Sequence, residues 1–214
     1  MDEDLSIINS NTRNEKIKNF FINNKKKIIS LIIIVIILII GVFSYDKYLA
    51  NKKKEISDKF NSIIINYTDN KKEKTFSSLI EIINKKDPTY SPLSLYFIID
   101  NNLSSDQNKI NLLFDTLIED ASLDQEIRNL IIYKKALYNA DDAQESDLLN
   151  MLNPLINSKS VWKSHSLYLM AEYFYANNQK QKAKEFFNQI LILDNLNPDI
   201  RLQAEKRLNR DLSD

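Results

Sequence analysis

The sequence predicts an all-α protein, with one N-terminal transmembrane helix followed by an array of short helical hairpins. Three observations predict it. A chain of 214 residues with one Gly and four Pro lacks the turn residues that a sheet protein needs. The run Ile28 to Tyr45 holds 18 residues without a charge, mostly Ile, Leu and Val. After it, apolar residues recur at helical spacing in segments separated by short polar breaks, the pattern of neighbouring antiparallel helices.

The transmembrane element comes first. At 1.5 Å per residue, the charge-free run is roughly 27 Å long, close to the hydrocarbon thickness of a bilayer. It is apolar on every face, whereas a core helix of a soluble protein carries a polar stripe. A cleavable signal has a shorter apolar region followed by small residues; here bulky Phe43, Tyr45 and Tyr48 follow instead. Retention as an anchor is therefore expected, with Tyr45 and Tyr48 at the interface. The N-terminal flank carries six positive charges (Arg13, Lys16, Lys18 and Lys25 to Lys27) against five on the other side (Lys47, Lys52 to Lys54 and Lys59). The lysine triplet abutting the span, and Asp46 opening the other flank, favour a cytoplasmic N-terminus. Residues 1–27 thus form a short basic cytosolic segment, 28–45 the membrane helix and 46–214 an extracytoplasmic helical domain. Within the basic segment, Ile17, Phe20, Phe21 and Asn24 suit either a short amphipathic helix on the inner leaflet or the first turns of the anchor itself.

Charge follows the same division. Residues 1 to 60 hold 11 Lys and Arg against 7 Asp and Glu, a balance of +4, and the rest hold 18 against 22, a balance of −4. The basic part suits anionic headgroups; the mildly acidic body argues against nucleic acid as a partner.

In the body, 55–85 reads as a divergent hairpin, with Ile56, Phe60, Ile63 and Ile64 on one helix and Phe76, Leu79, Ile80 and Ile83 on the next. Pro88 and Pro92 mark a break. Helices are then expected at about 92–102, 107–120, 125–139, 145–157, 161–177, 179–194 and 198–211. The best repeat unit opens at Leu167: Met170 and Ala171 take the template's Leu-Gly pair, Phe174 the following aromatic, Ala183 the small residue of the second helix, and Phe187 the aromatic four later. These fit the tetratricopeptide template. The two alanines would let the helices approach closely while the two phenylalanines fill the space beside them. The template's proline is expected near Asn195 and stands at Pro198. The same spacing of 12 and then 4 recurs at Ile98, Ile110 and Phe114, and at Ala136, Leu148 and Leu152. Three repeats follow, at about 92–120, 125–157 and 161–194. A capping helix at 198–211 turns Ile200, Ala204 and Leu208 inward.

A basic N-terminus, a single span, "WKSHSLYLMAEYFYANNQKQKAKEFFNQIL" and the closing "NPDIRLQAEKRL" together resemble the bacterial tetratricopeptide repeat-like family of ancillary Sec translocon subunits. The resemblance is most specific from Trp162 to Leu208 and elsewhere concerns layout. It implies anchoring in the inner membrane, repeats in the periplasm, and association with Sec translocon subunits and with periplasmic chaperones or emerging client proteins. The family's link to a periplasmic cell-division coordinator keeps a scaffold role open, and reversed topology would give a cytosolic adaptor. The resemblance carries no catalytic motif.

Catalytic chemistry finds little to work with. His165 is the one histidine and there is no cysteine, so triads, thiolate sites and disulfides are out of reach. The carboxylate pairs Glu119–Asp120 and Asp141–Asp142 fall at helix ends or loops, where solvated charge is routine. The single Gly41 lies inside the apolar run, so no glycine-rich phosphate loop exists. The sequence argues against an enzyme and gives no sign of a cofactor, a metal or a small-molecule substrate. Tyr173 and Tyr175 flank the inward-facing Phe174, leaving one of them available to a groove.

Overall fold

In a computed structural model, residues 2–120, 122–194 and 197–212 are described, and they are helical with no strand among them. The helices are α1 (Asp2–Ile65), α2 (Lys72–Ile83), α3 (Tyr90–Asp100), α4 (Gln107–Ile118), α5 (Gln125–Asn139), α6 (Glu145–Ile156), α7 (Lys163–Ala176), α8 (Lys180–Leu191) and α9 (Pro198–Arg210). The chain divides into two compact units, Met1–Glu55 and Ile56–Asp214.

The first unit is the leading part of α1. Basic flank, apolar run and the segment after it share one uninterrupted helix, so residues 13–27 and the apolar run belong to the same helix. The side chains of Ile17 and Phe21, on which the amphipathic alternative partly rests, lie outside the described residues. From Ile29 to Ile40 the described apolar side chains are all exposed, by 46–63%.

The second unit holds two buried cores. Ile56, Leu79, Ile82, Ile83, Leu95, Ile98, Ile110, Phe114, Leu117 and Ile131 build the first. Ala136, Leu148, Leu152, Leu155, Leu167, Met170, Ala171, Phe174, Ala183, Phe187 and Ile190 belong to the second. Helix α5 contributes to both, with Ile131 in one and Ala136, little more than a turn later, in the other. Neighbours in sequence are neighbours in space from α2 to α9, and α5, α7 and α9 also touch in succession.

Local chemistry fixes where these helices begin and end. The Asp87 carboxylate accepts hydrogen bonds from the backbone N–H groups of Thr89 and Tyr90 (2.9 and 2.8 Å), while the Asp87 N–H donates to Ser91 Oγ (2.9 Å). This reciprocal arrangement starts α3 at the Pro88 break. Asp106, Asp124 and Asn197 cap α4, α5 and α9 through their side chains, and Pro198 occupies the first turn of α9, where its missing N–H costs nothing. With no glycine in this part of the chain, asparagine supplies the left-handed residue after two of the helices. Asn102 (φ 49°) follows α3 and Asn178 (φ 58°) follows α7. In both cases the next N–H reaches back to the helix: Leu103 to Ile98 O at 3.0 Å, and Gln179 to Phe174 O at 2.8 Å.

All nine residues carrying the 12-then-4 spacing are at most 1% exposed. Their register differs in the first set. Helix α3 ends at Asp100 and α4 begins at Gln107, whereas α7 ends at Ala176 and α8 begins at Lys180, a connection three residues shorter. Counting seven back from the left-handed asparagine, the counterpart of Ala171 is Leu95, also fully buried. Pro198 is late because the exit connection is long: α8 already ends at Leu191, and Asn195 lies outside the described residues.

Candidate membrane anchor and interaction surfaces

Within Ile28 to Tyr45 the described side chains are exposed on every face of α1, and adding a Cβ at Gly41 would meet nothing within 4 Å. The side chains of Ile28 and Ile32 lie outside the described residues. Among the described residues this is the one helix long and apolar enough to cross a membrane. An exposed surface of this size in water would be costly at about 25 cal/mol per Å², and burial in a lipid hydrocarbon layer removes that cost. Tyr45 and Tyr48, both 62% exposed, stand where the aromatic belt of a bilayer would lie, and the triplets Lys25–Lys27 and Lys52–Lys54 are exposed on either side.

Met170, Ala171, Phe174, Ala183 and Phe187 come together in one buried cluster on α7 and α8. Tyr168 meets Phe187 edge to face (5.6 Å between centroids) and Phe186 covers Phe174 (5.2 Å). These residues are packing, and they present no chemistry to solvent.

The flanking tyrosines are both engaged. Tyr173 donates its hydroxyl to Ala143 O (3.0 Å), tying α7 to the connection before α6. Tyr175 lies under the Arg207 guanidinium, 4.8 Å from its centroid. Arg207 donates to Glu172 through Nε and Nη2 (2.7 Å each) and to Asp211 through Nη1 (2.9 Å). This fork joins α7 to α9 with the planar geometry that suits arginine. The Arg210 and Arg207 guanidiniums hold the Asp211 carboxyl well below the usual carboxylate range. Burial, with Glu172 beside it, pushes the Tyr168 phenol up to about 12. Nothing in the sequence marks Arg207 as inward; only the three-dimensional register of α7 against α9 does so.

His165 packs against Trp162 (5.1 Å) and Tyr133 (5.8 Å), and Tyr133 stacks on Trp162. Ser164 Oγ lies 3.5 Å from its Nδ1. Asp120 accepts from the Ser122 N–H (3.0 Å) as a turn residue, while Glu119, Asp141 and Asp142 are exposed. Among the described residues no group of three His, Cys, Asp or Glu is placed to hold a metal ion.

Two surface features escape sequence reading. A groove of about 180 Å³ is lined by Tyr96, Ile99, Asp100, Phe114, Lys134, Leu137 and Tyr138. Lys134 Nζ sits 4.4 Å from the centroid of Tyr96, whose buried hydroxyl has no partner among the described residues and whose ionisation burial pushes up to about 12. The second is a cavity of about 250 Å³ between the end of α1 and the start of α2. Both depend on residues far apart in sequence or on a loop's path, which periodicity does not encode. No family model, curated protein or solved structure matches this chain.

Proposed function

We propose that this protein is a membrane-anchored protein-binding module whose body is an α-solenoid of tetratricopeptide-like hairpins. The observation that carries the reading is the union, in one chain, of an apolar helix exposed on every face with a body of short helices packed in chain order. Three features support the repeat. The nine periodic positions are buried, the small residues Ala171 and Ala183 both lie where α7 meets α8, and α5, α7 and α9 follow one another as the first helices of successive hairpins do. Such an array offers an extended surface for peptides or partner helices rather than an enclosed pocket.

The narrower assignment rests on the resemblance of Trp162 to Leu208: an ancillary factor of the Sec translocon, held in the inner membrane with its N-terminus cytoplasmic and its repeats periplasmic, meeting emerging proteins or their chaperones. The test is recovery of the tagged full-length protein from mild detergent. Translocon subunits or periplasmic chaperones are expected with it, and repeated recovery of neither overturns the Sec assignment. In-cell crosslinking that yields chiefly homo-oligomers or division-site proteins would favour the envelope scaffold instead.

A further inference from the structure

The groove formed by α3 and α5, with Phe114 of α4 between them, joins an apolar wall to two donors that lack an acceptor. Phe114 is fully buried, Ile99 is half-buried and Leu137 is 50% exposed. The Tyr138 ring packs against Phe114, 6.0 Å between centroids. An apolar side chain laid between Ile99 and Leu137 would take from water a surface that the described chain leaves open.

Two polar groups specify what accompanies that side chain. Lys134 is half-buried, and its ammonium lies over the Tyr96 ring rather than beside a carboxylate. It forms no ion pair among the described residues, whereas its neighbour Lys135 is paired with Asp115. The Tyr96 hydroxyl is buried with no hydrogen-bond partner among the described residues, which costs free energy. Both groups are donors, so an acceptor with negative charge answers both. Asp100, the one carboxylate at the groove, is exposed, and solvent screens it more than it screens Lys134.

We infer that this groove docks an extended polypeptide segment that places an apolar side chain next to an acidic one. The apolar side chain lies between Ile99 and Leu137, and the carboxylate pairs with Lys134. A rotation of the Tyr96 side chain, of a kind common at interfaces, brings its hydroxyl to the same carboxylate. Size separates this from a small-molecule site. Ligand pockets run to roughly 300–1,000 Å³, while about 180 Å³ holds one side chain and leaves the rest of the partner along the surface. The inference rests on the protein-binding reading above and deepens it by naming the chemistry of the bound segment.

The test uses the full-length protein in a non-ionic maltoside detergent and the fluorescence anisotropy of two dye-labelled heptapeptides. One is Gly-Ser-Glu-Leu-Glu-Ser-Gly and the other has lysine in place of both glutamates. Saturable binding of the acidic peptide is expected, several-fold tighter than that of the basic one. The residues after 60 carry a balance of −4, so non-specific attraction would favour the basic peptide and cannot imitate this result. Lys134→Gln should weaken the acidic peptide roughly tenfold, Lys134→Glu should reverse the preference, and Asp100→Asn should tighten the acidic peptide. Tyr96→Phe should weaken it without lowering the thermal unfolding midpoint, because the hydroxyl removed has no partner to lose. Lys134 and Asp100 are not buried, so their variants keep the wild-type helical circular dichroism. Absence of saturable binding, equal binding of the two peptides, or an unchanged preference in K134E overturns the proposal. Phenylacetate binding as tightly as the acidic peptide and displacing it also overturns it, by assigning the groove to a small carboxylate. Recovery of partner proteins from detergent does not depend on these peptides, so the groove can fail while the function proposed above stands.

Discussion

Asn102, Asn178 and Lys86 hold φ angles of 49°, 58° and 53°, a region where a Cβ costs roughly 1 kcal/mol or more. Asparagine tolerates it better than most residues; lysine has no such advantage. Lys86→Gly is therefore expected to raise stability by a few tenths to about 1 kcal/mol, after the larger unfolded-state freedom of glycine is set against the strain removed. Asn178→Ala should cost about 1 kcal/mol, and thermal unfolding followed at 222 nm would separate the two. A reversed order would show that the left-handed turns are not where strain resides. The Arg207 fork makes a second prediction. The Asp211 carboxyl is depressed by Arg210 and Arg207, so it binds its proton more weakly folded than unfolded. Its contribution is present above the ordinary aspartate value of about 3.9 and is lost as pH falls through and below it. Asp211→Asn should flatten that part of the pH–stability curve near and below pH 4. A curve unchanged by the substitution would mean that solvent screens the pair completely.

At the scale of elements, the α7–α8 pair depends on two alanines that admit close approach and two phenylalanines that fill what remains. All four are at most 2% exposed. Phe187→Ala should cost about 3–5 kcal/mol through the cavity it leaves, and Ala183→Leu about 1–3 kcal/mol through overpacking, both measured by denaturant unfolding of the full chain. A tolerated Ala183→Leu would place slack between α7 and α8 and undercut the hairpin packing. These elements were legible because burial at helical period leaves its mark on sequence. All seven helices expected between residues 92 and 211 exist, with ends shifted by three residues or fewer. What was not legible depended on geometry rather than period. Ile98 is buried as its spacing implies, yet the longer α3–α4 connection makes Leu95 the counterpart of Ala171. Helix α6, by contrast, runs through Pro154 to Ile156 as the expected helix at 145–157 does, and Leu152 and Leu155 on either side of the proline are fully buried. The spacing leaves one of Tyr173 and Tyr175 available to a groove, whereas the Ala143 carbonyl engages Tyr173 and the Arg207 guanidinium engages Tyr175. The cavity at the start of α2 had no sequence signature, since lysine, serine and threonine there look like any polar turn.

For the whole molecule, the proposed anchor makes the deciding variable which side of a membrane receives the helical body, and the margin is small. Six positive charges precede the apolar run and five follow it within reach of its ends. Orientation responds to positive charge near the span far more than to acidic residues. Most of the asymmetry therefore rests on Lys25, Lys26 and Lys27, which abut the run directly, while Lys52 to Lys54 lie beyond Tyr48 on the same continuous helix. Replacing the first triplet by glutamine changes the count to three against five and should produce mixed or inverted insertion. Replacing Lys52 to Lys54 changes it to six against two and should leave the wild-type orientation intact. Protease protection of a C-terminal epitope reads both outcomes, with intact cells, permeabilised cells and spheroplasts compared. In the wild type the epitope is expected to resist protease in intact cells and to be lost once the envelope is opened. If K25Q/K26Q/K27Q behaves as wild type, the charge margin does not set orientation. If the wild-type epitope is cut only after the inner membrane is breached, the body lies in the cytosol and the periplasmic assignment fails with it.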